Sequence, residues 1–352
     1  MAPPDGYSPR SWIPEARVDR VNRLALRCAA LDYITSCRVV KRRGRVPLIA
    51  ACCAFTALFV LLFAGCSPDP HSIGTLEEIW GRRGISPGRF QKPRAMAIDA
   101  LDRLYIVDMT ARIQVLTPEG QLLRWWSTPE HKNGRPTAMS IGRDGNLLVG
   151  DTHYHRVLIY SPDGKLLHTL GGREGHGPGE FGLVTDVVQD SHGNFYVAEY
   201  GDYDRIQKFS PDYKFLTQWG GHGTEPGRFM RPQNMAIDAL DHVWVADACN
   251  HRIQVFDTQG RLLKMWGTQG SGLGQLDYPY DIALDGHGHA YVCEYGNHRI
   301  QKFTLDGHSL GCWGKHGRGP GEMHNPWSLV LDHNGEIYVL DTNNHRVQKI
   351  VM

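Results

Sequence analysis

Asn250-His251-Arg252-Ile253-Gln254 returns unchanged 47 residues later as Asn297-His298-Arg299-Ile300-Gln301. An imidazole, a guanidinium and two carboxamides within five residues can ligate a metal, move a proton or grip an anion. A carboxylate precedes each copy, Asp247 and Glu294. Near-copies extend the pattern, so that six arginines hold one position, Arg112, Arg156, Arg205, Arg252, Arg299 and Arg346. Six carboxylates stand shortly before them, Asp108, Asp151, Glu199, Asp247, Glu294 and Asp341. Two chemistries fit: a ring of charge at a ligand site, or an Arg–carboxylate fastening in which the planar guanidinium bridges the carboxylate and nearby loop carbonyls. Occurrence in every copy favours the fastening, because a site for one ligand breaks the symmetry of its repeats.

The elements that must position these residues follow from the period. Pro93, Pro136, Val184, Pro232, Pro279 and Pro326 each open an apolar run such as MAID, IALD or LVLD, at intervals of 43, 48, 48, 47 and 47 residues. A period in this range marks a repeat architecture. Each unit then runs through a polar hairpin such as Arg143-Asp144-Gly145-Asn146 and a Tyr- and Val-rich strand. The Asn-His-Arg loop, a third strand, a turn and a fourth strand ending near Trp-Gly complete it. Short β-branched and aromatic runs bounded by Gly, Asn and Asp are strand-and-turn chemistry, and four such strands make one blade of a β-propeller. The tryptophans Trp126, Trp219, Trp266 and Trp313 read as packing between blades.

The last unit stops at HRVQKIVM, after its third strand. The stretch LEEIWGRRGISPGRFQKP at 76–93 matches LLKMWGTQGSGLGQLDYP at 262–279 in composition and length. Leu76–Trp80 is therefore expected as the fourth strand of blade six, removing the open edge. The fold class expected is an all-β six-bladed propeller over 76–352, closed by its own amino-terminal strand.

The run D-x-x-N-H-R-[IV]-Q at Asp247–Gln254 and Asp341–Gln348 resembles the NHL repeat, and the resemblance covers roughly residues 76–352. Blade one departs, with Thr110-Ala111-Arg112 lacking Asn and His, and blade three inserts a residue at Tyr200–Arg205. The resemblance implies two kinds of protein, a binding platform and an enzyme. Among related six-bladed propellers, the peptidyl-amidoglycolate lyases carry zinc-binding histidines directly after the strand-opening proline. The corresponding residues here are Arg94, Thr137, Thr185, Gln233, Tyr280 and Trp327. None is histidine. His155, His251, His298 and His345 fall elsewhere in the repeat and read as structural. Gluconolactonase-like propellers hold a metal on scattered Glu, Asp and Asn, which leaves a metal-dependent lyase or lactonase as the alternative. Asp186 and Asp281 near the channel are two separated carboxylates, short of the roughly six to eight oxygens Ca²⁺ takes. No cofactor is predicted; Ca²⁺ or Zn²⁺ in the channel stays possible, without a motif to support it. No HExxH motif occurs.

Function is expected where the blades differ. The loops between second and third strands share a face with the connections between blades. Variable residues there are Arg94, Thr137, Asp186, Gln233, Asn234, Tyr280, Asp281 and Trp327, joined by Tyr154, Tyr200, Tyr203 and Tyr295. Aromatic rings amid Asp and Asn suit a protein, peptide or glycan ligand, and equally describe a solvated loop rim. The expected function is a non-catalytic platform for such a ligand.

Residues 41–66 read as an export signal. Lys41-Arg42-Arg43-Gly44-Arg45 precede VPLIAACCAFTALFVLLFAGC, a run without a charge. Its ending, Ala64-Gly65-Cys66, resembles a bacterial lipoprotein signal, which implies lipidation of Cys66, with Phe63 where that family prefers Leu. An uncleaved signal anchor is the other reading, since the apolar run is long enough to span a bilayer. The basic flank places the following chain outside the cytoplasm either way. A tether at 67–75 would keep the body near the membrane. Residues 1–40 put more chain ahead of the signal than an export signal carries, which suggests a start codon near Val39 or Val40.

Of 38 basic and 37 acidic residues, 1–66 hold ten and four, leaving 28 against 33 in 67–352, a balance of −5. Nucleic-acid binding needs clustered Lys and Arg, so export and this balance oppose an RNA partner such as some tripartite-motif relatives have. Cys28, Cys37, Cys52 and Cys53 lie ahead of the cut, leaving Cys249, Cys293 and Cys312. Three cysteines without motif spacing make no disulfide framework or CxxC metal site, although a Cys249–Cys293 bridge between neighbouring blades would be possible.

Overall fold

The structure is a computed structural model of the chain and describes residues 71–352. Residues 1–40, the expected export signal at 41–66 and its Cys66 lie outside the described residues. No helix among the described residues is long and apolar enough to cross a membrane.

Six four-stranded antiparallel sheets follow one another in the chain. Blade 1 is built from Ala95–Ile98, Leu104–Val107, Arg112–Leu116 and Leu122–Ser127, and blade 4 from Pro232–Ile237, Val243–Asp247, Arg252–Phe256 and Leu262–Trp266. Blade 6 contains Ser328–Leu331, Ile337–Asp341 and Arg346–Val351, and takes its fourth strand from the other end of the chain. Thr75–Trp80 runs antiparallel to Arg346–Val351, with Trp80 opposite Val347 and Thr75 opposite Val351. The ring is closed as the sequence implied.

Burial explains why the middle strands read as continuous apolar runs. Both faces of a blade pack on neighbouring blades, so Val243–Asp247 and Arg252–Phe256 are buried at every position. Outer strands face water on one side, and Leu122–Ser127 alternates between half-buried and exposed. The apolar core is therefore divided into layers between successive blades. Val107 and Val115 of blade 1 pack on Met139 and Leu158 of blade 2, while Met96 and Leu104 pack on Tyr338 and Val347 across the closure.

The outer-strand tryptophans Trp80, Trp126, Trp219 and Trp266 each lie against a turn glycine of the following blade, Gly120, Gly164, Gly260 and Gly307. The turn needs a left-handed residue, and the indole leaves no room for a side chain there. Trp313 instead packs with Met323 and Ile350.

The tether expected at 67–75 is not free throughout. Ile73 donates its N–H to the Cys312 carbonyl, and Cys312 donates to His71, beside the outer strand of blade 5. That strand has an open edge, and backbone alongside it gains hydrogen bonds. Cys249 and Cys293 are both thiols, so the Cys249–Cys293 bridge is not formed.

Candidate functional site

Every polar residue of the repeated pentapeptide has a partner. Arg252 Nε donates to Asp247 at 2.7 Å, and its two terminal nitrogens donate to the carbonyls of Thr224, Glu225 and Arg228. Asn250 donates to Asp247 and to Gly223 O. Gln254 donates to Arg228 O and accepts the N–H of Gly227. The set therefore ties the second and third strands to the loop that enters the blade. Arg112, Arg205, Arg299 and Arg346 repeat it on Asp108, Glu199, Glu294 and Asp341, at 3.2, 2.7, 2.6 and 2.7 Å. Arg156 bonds Asp151 at 2.9 Å and adds Glu130 at 2.7 Å. All six carboxylates are fully buried.

The histidine before each arginine reaches the next blade. His251, His298 and His345 accept through Nδ1 the backbone N–H of Tyr278, Asn325 and Lys92, at 3.2, 3.0 and 2.9 Å. His155 Nδ1 lies 2.8 Å from the Gly182 carbonyl. All four take a left-handed backbone, as do Ala111 in blade 1 and Asp204 in blade 3. In blade 3 the inserted residue leaves the clamp intact, because Asp204 Oδ1 accepts the N–H of Arg231 at 3.0 Å.

Symmetry breaks at the end of the channel where the inner strands begin. Tyr280 stacks on Tyr295 with ring centroids 4.4 Å apart, and Trp327 meets them edge-on at 4.9 and 5.8 Å. The Arg94 guanidinium lies 5.1 Å from the Trp327 ring. Arg231 lies 5.0 Å from Tyr200 and 5.9 Å from Tyr280. Neither side chain has a carboxylate partner among the described residues, and Arg231 Nε is buried without an acceptor, as is Trp327 Nε1. Burial and the charge of Arg231 hold the Arg94 pKa below its ordinary value, although the phenols of Tyr200, Tyr295 and Tyr280 act the other way. Burial also works against the Arg231 charge, but the phenols around it, Tyr280 first, keep its pKa above the ordinary one. Burial pushes Tyr280 up to about 12.

Below this mouth a cavity of about 290 Å³ runs between the inner strands, lined by Met96, Met139, Met235, Ile282 and Leu329 together with Asp186, Asn234 and Asp281. Asp186 accepts the N–H of Met235 at 2.6 Å, and Asp281 accepts that of Leu329 at 2.9 Å. Each carboxylate thereby ties its inner strand to that of the next blade. Burial raises Asp186 well above the carboxylate range and Asp281 to about 6.

Of the residues singled out in the sequence, Arg94, Tyr200, Tyr280, Tyr295 and Trp327 come together at the mouth. Asp186, Asn234 and Asp281 line the channel, and Gln233 is buried beside them at the start of the blade 4 inner strand. Thr137 bonds Thr152 inside blade 2 at 2.7 Å. Tyr154 and Tyr203 stand apart from the cluster. Tyr154 packs on Arg156 of its own blade and accepts the N–H of Asn133. Tyr203 packs on Arg205 and His176, at a separate cavity of about 300 Å³ that also contains Trp219. The residue sequence reasoning missed is Arg231. It sits directly before Pro232, where Lys92, Arg135, Tyr278 and Asn325 precede the opening prolines of other blades. That column is basic in three blades, so the sequence alone does not single Arg231 out.

Known proteins agree with this architecture. The NHL repeat family matches residues 229–256, 276–303 and 323–350. NHL repeat-containing protein 3 of Mus musculus is 33% identical over 175 residues, covering 45% of this chain and 49% of that protein. The chain thus spans about half the length of that relative. Peptidylglycine alpha-amidating monooxygenase of Rattus norvegicus is 38% identical over 127 residues, covering 33% of this chain and 13% of that protein. Among solved structures, a streptogramin B lyase superposes with a TM-score of 0.56 at 12% identity, over 78% of this chain and 96% of its own. A protein of unknown function from Bacteroides thetaiotaomicron reaches 0.62 at 12% identity, over 79% and 76%. At these identities the superpositions establish the fold alone. The chain carries NHL repeats, and they are built into a closed six-bladed β-propeller.

Proposed function

We propose that the protein is a binding platform, held outside the cytoplasm through a lipid on Cys66, whose propeller mouth holds a protein, peptide or glycan ligand without altering it. The observation that carries this reading is the contrast among arginines. The six repeat guanidinium groups are all bonded to carboxylates, whereas Arg94 and Arg231 stand over aromatic rings with no anion beside them. Half-buried cations of this kind are stabilised when an anionic group arrives. Arginine neither takes nor gives a proton near neutral pH, which suits holding rather than catalysis.

The test is a screen of peptide and glycan arrays with the labelled chain, repeated with the R94Q/R231Q double variant. The reading expects binders that the double variant loses and that are recovered with unchanged mass. Binders retained by the double variant would remove the mouth from the account. For the anchor, labelling of the chain by palmitate in cells should vanish in C66S, and persistence of the label would overturn it.

A metal-dependent lyase or lactonase is the second reading, favoured by one observation. Asp186 and Asp281 are buried in the channel with raised pKa values, as groups that transfer protons often are. The similarity to an amidating monooxygenase lends it support. A stoichiometric metal in the purified protein together with conversion of a bound ligand would establish it in place of the platform.

A further inference from the structure

We infer that the mouth recognises the carboxylate at the carboxy-terminal end of a peptide, gripped between Arg94 and Arg231. The inference rests on the platform reading and names the chemistry of its ligand.

Around the rings the unpartnered nitrogens are donors, the Arg94 and Arg231 guanidinium groups and the indole N–H of Trp327, and no carboxylate of the described residues is bonded to any of them. Asn234 Oδ1, Thr185 Oγ1 and Ser328 Oγ on the inner strands are also without partners. Such a site selects an anion. Blades 1 and 4 are opposite members of a six-membered ring, so Arg94 and Arg231 approach from opposite sides. Their backbones are fixed before any ligand arrives. The Arg94 N–H is bonded to Val107 O at 2.9 Å, and Arg231 is held in a left-handed conformation, φ 57°, by the Asp204 clamp. A planar anion with two oxygens suits paired guanidinium forks, each of which presents its N–H groups in one plane.

The rings decide between a peptide and a sugar. A sugar would need an open aromatic face to stack on. Here Tyr280 and Tyr295 cover one another, Arg94 lies over Trp327, and Arg231 lies beside Tyr200 and Tyr280. These rings serve as walls that orient the guanidinium groups and keep water from them. Beneath lies a channel with Met96, Met235, Ile282 and Leu329 in its lining, which suits an apolar last side chain. Asp186 and Asp281 in that channel are engaged by backbone N–H groups of the neighbouring blades.

The experiment uses the full chain in mild detergent and titration calorimetry. N-acetyl-Ala-Ala-Leu and N-acetyl-Ala-Ala-Phe are compared as free acids and as carboxy-terminal amides, with a glucuronate-terminated disaccharide alongside. The acids should bind at least about tenfold more tightly than the amides, and more weakly as salt is raised. R94Q and R231Q should each weaken the acids about tenfold and leave the amides unchanged. Melting temperatures should stay the same, since neither side chain carries a hydrogen bond in the fold. Equal binding of acids and amides would overturn the carboxylate and leave the platform standing. Tighter binding of the disaccharide would overturn the peptide end. Absence of binding by every probe at millimolar concentration would also overturn the inference, while the array experiment would still decide on the platform.

Discussion

Lys92 donates its backbone N–H to His345 Nδ1 at 2.9 Å, joining the first blade to the last across 253 residues of sequence. The same bond at His251 and His298 joins blades that are neighbours in the chain. The histidine of the repeat is thus a clamp between blades, and at one place it helps to close the ring. Closure should matter most where Thr75–Trp80 completes blade 6. Deleting residues 71–80 exposes the edge of Arg346–Val351 and removes Trp80 from Gly120. We expect a Tm lower by on the order of 10 °C in calorimetry, for a loss of several kcal/mol. A cooperative transition at the original temperature would show that the strand is not needed.

The Arg252 fastening separates a structural role from a ligand role. R252A leaves the fully buried Asp247 without its charge partner and frees three carbonyls, at a cost of about 3–5 kcal/mol. R252K keeps the charge but cannot span the same partners, and should fall in between. Urea denaturation of both variants checks this. Loss of ligand binding with unchanged stability would move this arginine from the fold to the site.

Gly260 has φ +81°, and a Cβ built on it would lie 2.5 Å from the Trp219 ring. G260A combines a left-handed backbone with that clash, and should cost about 1–3 kcal/mol. Placing Ala also at Trp219 should restore part of the loss to the glycine site, read as coupling in a double-mutant cycle.

Asp281 gives the stability a pH dependence. Burial raises its folded pKa from 3.8 to about 6, so the folded state binds its proton more tightly than the unfolded chain does. The resulting stabilisation is complete below about pH 4 and is lost as pH rises through about 6, by on the order of 3 kcal/mol. Asp186 acts in the same direction. D281N cannot ionise and keeps an oxygen for the Leu329 N–H. The difference in Tm between wild type and D281N should therefore shift in favour of the variant from pH 4 to pH 7. A difference independent of pH would show that Asp281 keeps an ordinary pKa in the folded protein.

The sequence by itself determined the blades. Strand order, the turn chemistry and the match between 76–93 and 262–279 carry the closed ring, because each blade is a local unit whose pattern repeats. The pairing of each arginine with its carboxylate was also legible, since both lie on adjacent strands of one hairpin, as Asp247 opposite Arg252 shows. That the outer-strand tryptophans pack between blades was legible too, but which residues meet across blades was not. His251 reaching Tyr278, Asp186 reaching Met235 and Trp219 meeting Gly260 depend on how one sheet faces the next, which no local pattern encodes. The same holds for the mouth. Tyr200, Tyr203 and Tyr154 look equivalent in the chain, yet only Tyr200 joins the cluster, beside Arg231, while Tyr203 and Tyr154 pack on the arginines of their own blades. Periodicity fixes which end of the channel a residue occupies. Which residues meet there is decided by ring closure, which brings blades distant in sequence to one centre.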